Sequence, residues 1–233
     1  MEGNNIFILN ERIDRAPNVI TIRFLPTEAM PAFIPGQFVN IYFLDDRCGG
    51  QGKPYSISSS PKDAFVDITV KKIGKFSSAL HDLKIGEQVA MSAPEGYFYP
   101  EDRSEDIVFL AGGIGIAPFY SIISDLFEKK QKRDVFLFYS NKTRNDISFS
   151  AELNALEKKW DRLKIIYVLT RQPAPFVGCE SKRIDADMIK KYARALDGKY
   201  YFICGSIGFV KDLWKELKKS GVKNENIKLE SLY

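Results

Sequence analysis

Apolar and polar residues alternate along the first hundred residues of the chain. Ile20, Ile22 and Phe24 alternate with Thr21 and Arg23, a period of two that is typical of a half-buried strand. The same pattern predicts strands at residues 20–24, 38–43, 66–70 and 88–93. Short alternating strands separated by turn residues are typical of an antiparallel barrel. We therefore predict an antiparallel β-barrel in this part of the chain.

Beyond residue 103 the pattern changes to apolar strands that alternate with amphipathic helices. The predicted strands are Ile107–Ala111, Val135–Tyr139, Leu163–Leu169, Tyr200–Cys204 and Ile227–Glu230. Helical spacing is found in the intervals, at residues 119–127, around Leu153 and Leu156, at 186–195 and from 209 to a stop at Gly221. Such alternation predicts a parallel sheet covered on both faces. The polar stretch 100–106 places the boundary, so we predict domains at 1–103 and 104–233.

Cysteine and histidine usage narrows the chemistry. Cys48, Cys179 and Cys204 are isolated from one another, and His81 is the one histidine. This pattern disfavours structural zinc, an iron–sulfur cluster and a histidine-based hydrolytic triad. We therefore expect no metal site, and we expect an enzyme of this kind to rely on an organic cofactor for the difficult step.

The hydropathy of the chain indicates its expected location. No apolar run reaches the ~18–20 residues of a membrane span, and the polar start Met1–Asn5 lacks the pattern of a signal peptide, so we expect a cytoplasmic protein.

Residues 104–233 hold 23 basic and 17 acidic residues, a net charge of +6. This excess favours an acidic partner or a phosphate-bearing ligand, although a lysine-coated surface has the same composition. No basic patch is interleaved with aromatic residues, which argues against nucleic acid.

A glycine turn follows the first strand of the second half. Ile107–Ala111 leads into Gly112, Gly113 and Gly115, and we expect a helix that opens with Pro118. Unpaired N–H groups at the first turn of a helix bind phosphate, and glycines allow close approach. Ligands of parallel sheets bind at the carboxyl ends of the strands. The segment predicts a dinucleotide site, although a glycine turn also serves tight packing alone.

Two motifs in the first half of the chain are suited to bind a flat ring and a second phosphate. In Lys53–Ser60, Tyr55 is suited to stack on a ring and Ser56 to bond its edge. In Gly74–His81, a glycine turn leads into a short helix that we expect Ser77 or Ser78 to cap. Each motif has an ordinary alternative, a serine-rich turn and a routine helix start.

Taken together, these motifs resemble the ferredoxin–NADP⁺ reductase superfamily. The order KPYSISSS, GKFSSALHDLKIG, APEGYF, LAGGIGIAPF, FYSNKTRNDISF, YFICGS and KLESLY matches that superfamily over nearly the whole chain. The resemblance implies a flavin-binding antiparallel barrel followed by a Rossmann-like nicotinamide-binding domain. It also implies hydride transfer between NAD(P)H and the flavin, with electrons passing on to an acceptor.

The resemblance implies roles for individual residues. The residues implied to contact the flavin are Lys53, Pro54, Tyr55, Ser56, Val70, Gly74, Lys75, Phe76, Ser77, Ser78 and Tyr233. Those implied to bind the dinucleotide are Gly112, Gly113, Gly115, Pro118, Thr170, Cys204 and Gly205. Ser56, Cys204 and Glu230 are implied at the reaction centre. Lys53 replaces the arginine of the family, and a point charge lacks the bidentate fork of a guanidinium. The pyrophosphate segment implies FAD, while some relatives use FMN.

The donor and the acceptor are left open by the residues. The acidic ribose partner of an NAD-specific site is not obvious after the strand Val135–Tyr139. Instead, Ser140 with Lys142 or Arg144 is suited to hold a 2′-phosphate, and Arg171 after the next strand is suited to help. This favours NADPH over NADH. A solvated polar turn is the alternative, and it is equally compatible with NADH. The expected acceptor is an acidic ferredoxin or flavodoxin. One alternative is an NAD(P)H:flavin oxidoreductase that reduces free flavin, and another is a regulatory subunit without turnover.

Overall fold

The computed structural model describes residues 5–29, 31–101, 104–173 and 179–232. The chain divides into two compact units, Met1–Tyr99 with Ala117–Asp125, and Pro100–Ile116 with Leu126–Tyr233. Residues 102 and 103 lie outside the described ranges, so the boundary at 103 stays a prediction.

The first unit is an antiparallel β-structure, as predicted. Its elements are β1 (Asn5–Ala16), β2 (Val19–Pro26), β3 (Phe38–Phe43), β4 (Lys53–Ser56), β5 (Val66–Lys71), α1 (Lys75–Asp82) and β6 (Gln88–Met91). The sheet order is β4-β3-β6-β1-β2-β5. An antiparallel bridge between Ile57 and Ile68 and a hydrogen bond of 2.8 Å from the N–H of Ser58 to the carbonyl of Asp67 join the two end strands.

The apolar positions of the alternating pattern are buried together. Ile22 and Phe24 of β2 are fully buried within an apolar cluster that also contains Ile41 and Ile68. The strand β1 was missed by the sequence analysis. Its register shifts twice, and the half beyond Leu9 is mostly exposed, so strict alternation is lost there.

The second unit is a parallel α/β structure, as predicted. Its elements are β7 (Asp106–Gly112), α2 (Ile116–Glu128), β8 (Val135–Asn141), α3 (Ser150–Lys159), β9 (Leu163–Leu169), α4 (Ala186–Ala193), β10 (Lys199–Gly205), α5 (Ile207–Lys219) and β11 (Ile227–Ser231); the central part of α2 clusters with the first unit. All neighbours pair in parallel in the order β11-β10-β7-β8-β9.

Both faces of the central strand β7 are buried. Val108 and Leu110 pack with residues of α4 and α5 in one apolar cluster, and Phe109 on the opposite face is fully buried as well. In the sheet, β8 and β9 lie on one side of β7, and the later strands β10 and β11 lie on the other side, so the strand order reverses at β7. The carboxyl ends of these strands therefore form the position at which such sheets bind ligands. In the described part of the chain, no helix is long and apolar enough to cross a membrane.

Candidate functional site

Tyr55 and Phe76 lie together in the first unit. Tyr55 is placed by β4, where it pairs with Val39 of β3. Its ring centre lies 6.1 Å from that of Phe76, with 26° between the planes, and Phe76 lies 4.9 Å from Phe43. Burial, with a smaller contribution from Cys48, raises the pKa of Tyr55 to about 12. The phenol is therefore neutral at physiological pH and offers an uncharged ring.

The start of α1 differs from the predicted capping. The N-cap is Gly74, and Ser77 is the third helical residue. The Ser77 hydroxyl oxygen accepts the N–H groups of Ile73 and Gly74, each at 2.9 Å. The first intrahelical bond runs from the Ser78 N–H to the Gly74 carbonyl. The expectation that Ser77 or Ser78 is the N-cap was wrong, because Ser77 secures the turn from inside the helix.

The same geometry leaves donors at the helix start. The N–H groups of Lys75, Phe76 and Ser77 precede the first intrahelical bond, so they have no acceptor within the helix. A Cβ atom on Gly74 would meet nothing within 4 Å, so there is open space beside the backbone that precedes these groups. Lys75 is exposed beside them. This arrangement is suited to a phosphate.

The serines after Tyr55 divide into two groups. Ser56 is buried at the end of β4. The Ser58 hydroxyl lies 2.8 Å from that of Thr69, and the Ser59 hydroxyl accepts the N–H of Asp67 at 3.1 Å. Ser58 and Ser59 therefore tie the segment to β5, whereas Ser56 directly follows Tyr55 in the chain.

Val70 is tied to α1 through its carbonyl. This buried residue of β5 has its carbonyl oxygen 3.0 Å from His81 Nε2. Because a carbonyl only accepts, Nε2 carries the proton. Burial is the main cause that lowers the pKa of His81, so the ring is neutral near pH 7.

The glycine turn of the second unit begins where β7 ends. Gly112 is extended, Gly113 has φ +54° and residues Gly113–Gly115 form a 3₁₀ turn. The helix α2 begins at Ile116, two residues before the predicted start at Pro118. Proline is tolerated in a first helical turn because its missing N–H has no intrahelical acceptor there.

The glycines pack closely against the end of β10. A Cβ atom on Gly115 would stand 2.5 Å from the carbonyl carbon of Cys204 and 2.8 Å from the N atom of Gly205. Phe209 packs so closely on Gly112 and Gly205 that a Cβ atom on them would lie 2.9 and 2.8 Å from its ring. By contrast, a Cβ on Gly113 would meet nothing within 4 Å. The structure thus brings the two predicted glycine motifs together and leaves Gly113 open.

Phe209 is a site residue that the sequence analysis missed. The pattern places it only on the apolar face of the last helix, although it follows the N-cap Ser206 by three residues. Its ring contacts the glycines of two different strands. The available signal was its position just after Cys204-Gly205-Ser206.

Cys204 and Glu230 are paired across neighbouring strands. Parallel β10 and β11 set Cys204 beside Glu230, and β7 sets Ala111 on the other side of Cys204. Cys204 is fully buried. Burial, and then the charge of Glu230, raise the pKa of Cys204 well above its usual range. The thiol is therefore protonated, which suits a wall of a pocket and not a nucleophile. Tyr233 lies outside the described residues.

The predicted 2′-phosphate residues lie on one edge. Ser140 pairs with Gly112 on one side. The N–H of Thr170 donates to the carbonyl of Asn141 at 3.0 Å, and that of Arg171 to the carbonyl of Lys142 at 2.9 Å. The pairing of β8 and β9 thus continues past the strand ends. Lys142, Arg144 and Arg171 are exposed there.

A cavity of about 540 Å³ lies at the edge strand β9. Its lining includes Glu157 of α3, Tyr167 of β9 and Tyr192 of α4. It shares Arg144 with the predicted dinucleotide residues, but neither the glycine turn nor Cys204 lines it.

Comparisons with known proteins agree with both units. Residues 7–99 match the family "Oxidoreductase FAD-binding domain", and residues 109–215 match the family "Oxidoreductase NAD-binding domain". A flavin-binding domain followed by a nicotinamide-binding domain defines the class of two-domain flavin oxidoreductases. The chain belongs to the ferredoxin–NADP⁺ reductase superfamily.

Individual relatives differ in length and in name. Flavohemoprotein A of Dictyostelium discoideum is 29% identical over 96% of this chain and 59% of that protein. NADH-cytochrome b5 reductase 2 of Mycosarcoma maydis is 35% identical over 69% of this chain and 48% of its own length. A ferredoxin NADP⁺ reductase from Neisseria gonorrhoeae, solved with FAD and NADP, has a TM-score of 0.86 at 23% identity, with 100% of both chains covered. The chain thus spans about three fifths or less of these two curated relatives.

The residues present fit both nucleotides. The open space where a Cβ atom would stand on Gly74 and on Gly113 leaves room for a phosphate beside each glycine turn. Tyr55 offers a neutral aromatic face. We therefore name Lys53, Tyr55 and the start of α1 as the residues that would hold the flavin, and Gly112–Gly115 with Cys204-Gly205 as those that would hold the dinucleotide.

Proposed function

We propose that this chain transfers a hydride between NADPH and bound FAD and passes the electrons to a separate acceptor. The observation that carries the proposal is the close packing of Gly115 against Cys204 and Gly205 beside the open Gly113. It joins a phosphate cradle to the strand end that the family uses for the nicotinamide. Bound FAD would supply the hydride acceptor.

The residues of the chain bind the two nucleotides and position their rings. The backbone of Gly112–Gly115 binds the pyrophosphate, and Gly113 leaves room for it. The protonated Cys204 thiol forms a wall of the nicotinamide pocket without reacting. Glu230 carries the charge next to that wall and orients the ring. Tyr55 packs against the flavin and Ser56 bonds its edge. Positioning of this kind supplies much of the rate in hydride transfer.

The exposed cations at the ends of β8 and β9 support NADPH as the donor. Lys142, Arg144 and Arg171 are exposed on this edge, and basic side chains there suit a 2′-phosphate. One relative carries NADH in its name, so both nucleotides belong in the assay.

An acidic ferredoxin or flavodoxin is the proposed acceptor. The net charge of +6 in residues 104–233 supports it, because opposite charge steers weak electron-transfer encounters. Free flavin is the second candidate. Lys53 in place of arginine favours it, because a single point charge holds a flavin phosphate more loosely than a bidentate fork. The names of the relatives make a haem protein the third acceptor to assay.

The visible absorption spectrum of the purified protein tests the proposal. We expect flavin bands, including one at about 450 nm, that bleach with NADPH under anaerobic conditions and more slowly with NADH. Subsequent addition of ferredoxin, flavodoxin, cytochrome b5 or free flavin identifies the acceptor by recovery of the bands. A colourless protein that oxidises NADPH only with added flavin favours the free-flavin reaction. Inactivity with every acceptor contradicts the enzymatic proposal.

A further inference from the structure

Asp146 is the first acidic residue that follows β8 in the chain. In dinucleotide-binding sheets an acidic side chain at this kind of position binds the ribose 2′-hydroxyl, whereas basic residues accommodate a 2′-phosphate. β8 follows β7 in the chain and lies next to it in the sheet. The segment 140–149 reads SNKTRNDISF, so Asp146 is its one acidic residue. Where this carboxylate lies therefore bears on the choice of nucleotide.

Thr143 holds the Asp146 carboxylate inside a closed turn. The backbone N–H of Thr143 donates to Asp146 Oδ2 at 2.9 Å, and the Thr143 hydroxyl donates to the same oxygen at 2.7 Å. In return the N–H of Asp146 donates to the carbonyl of Thr143 at 3.2 Å. Both side chains are half-buried. The carboxylate is therefore engaged within the turn by two donors of one residue.

Buried Tyr139 of β8 anchors the residues that follow this turn. Burial, with the charge of Asp146 as a smaller contribution, raises the pKa of Tyr139 to about 12. The Tyr139 hydroxyl accepts the N–H of Ser148 at 3.1 Å. This bond ties Ser148, two residues after Asp146, to the buried strand β8.

The loop is also held from the side of β9. The N–H of Arg144 donates to Gln172 Oε1 at 3.0 Å, next to the bond between Arg171 and Lys142. These two bonds fix the backbone that carries Lys142, Arg144 and Arg171, whose side chains are exposed. The fixed edge presents cations outward, while the one carboxylate of the loop is tied to Thr143.

We propose that Thr143 is a specificity-determining residue, whose hydroxyl keeps the Asp146 carboxylate away from the ribose and so favours a nucleotide with a 2′-phosphate. The inference rests on the proposed use of NADPH. Without the hydroxyl, the carboxylate keeps only the bond from the Thr143 N–H, so it turns more readily toward the cationic edge. A negative charge there repels a 2′-phosphate and accepts a bond from a 2′-hydroxyl.

Binding of two nucleotide fragments tests this without reference to activity. The compounds 2′,5′-ADP and 5′-AMP differ in the 2′-phosphate, and their Kd values are measured by calorimetry on the full chain. We expect Thr143→Val to lower the preference for 2′,5′-ADP by about five- to tenfold, the effect of one like charge a few ångströms away in a partly solvated site. Valine suits the extended backbone of Thr143, φ −134° and ψ 170°.

Two further variants separate a charge effect from damage to the loop. Thr143→Ser keeps the hydroxyl and is expected to keep the wild-type preference. Thr143→Val combined with Asp146→Asn removes the released charge, and it is expected to recover most of the preference for 2′,5′-ADP. Thermal unfolding of each variant checks that the fold is retained.

Two results overturn the inference alone. One is an unchanged preference in Thr143→Val, and the other is an equal loss in Thr143→Val and in the double variant. Wild-type protein that binds 5′-AMP as tightly as 2′,5′-ADP overturns the proposed NADPH preference and the inference with it. Bleaching of the bound flavin by either nicotinamide is a separate readout, so the oxidoreductase proposal is judged independently.

Discussion

Gly115 and Cys204 are in backbone contact, although they lie far apart in the sequence. A Cβ atom on Gly115 would stand 2.5 Å from the Cys204 carbonyl carbon, closer than side chains approach a backbone. The turn that follows β7 is therefore fitted to the end of β10. This contact joins a phosphate-binding turn to the buried Cys204 and to Glu230 beside it.

Substitution of Gly115 tests the contact. We expect Gly115→Ala to displace the end of β10, to lower stability by about 1–3 kcal/mol and to weaken NADPH binding. Thermal unfolding and NADPH titration measure the two effects. The matched control is Gly208→Ala in α5, where a Cβ meets nothing within 4 Å and where alanine is expected to stabilise by about 0.5–1 kcal/mol. Equal stability of the two variants would contradict the contact.

Two substitutions of Gly113 distinguish the effect of filling the open space from the effect of backbone strain. Its would-be Cβ points into open space, where the proposed pyrophosphate lies, and its φ of +54° disfavours branched side chains. We expect Gly113→Val to abolish NADPH binding with flavin retained, at a stability cost of about 1–2 kcal/mol. Gly113→Asn tolerates this backbone and is expected to lose NADPH binding with little loss of stability. If either variant reduces its flavin at the wild-type rate, the placement of the dinucleotide is wrong.

Lys53 is expected to set how tightly the flavin is held. Lys53→Arg replaces a point charge by a bidentate fork, so we expect flavin loss on dilution to slow severalfold. Lys53→Met keeps much of the length and removes the charge, and we expect faster flavin loss. The ratio of absorbance at about 450 nm to that of the protein, followed through ultrafiltration, measures both. We expect flavin retention to decrease in the order Arg, Lys, Met at position 53. Any other order would argue against contact between Lys53 and a flavin phosphate.

The lowered pKa of His81 leads us to expect that the stability of the fold depends on pH. Burial lowers its pKa in the folded state from 6.5, so the unfolded chain binds the proton more tightly. Stability is then lost as the pH falls below about 6.5, by about 1.4 kcal/mol for each tenfold difference in proton affinity. We expect His81→Gln, which keeps an N–H donor for Val70, to lose less stability than wild type between pH 7.5 and 5.5. Urea unfolding at both pH values checks this, and parallel losses would exclude His81 as the source.

The strands of the core could be predicted from the sequence because burial imposes a period of two. The predicted ranges 38–43 and 163–169 coincide with β3 and β9, since their buried side chains alternate or run continuously. The strand β1 could not be predicted in this way, because its bulges and exposed half remove the period. The start of α2 was misplaced by two residues, because proline is compatible with several positions in a first turn.

The sequence by itself determined the class of fold, the order of the motifs and the residue types at the candidate sites, because local periodicity and glycine placement are properties of neighbouring residues. Only the tertiary structure decided that Phe209 covers Gly112 and Gly205, that Cys204 lies beside Glu230 and that Gln172 holds the backbone of Arg144. Each of these depends on the register of strands and the packing of helices, which bring distant residues within a few ångströms. Even the local pair Thr143 and Asp146 required coordinates, since a polar turn offers its carboxylate several partners with similar free energies.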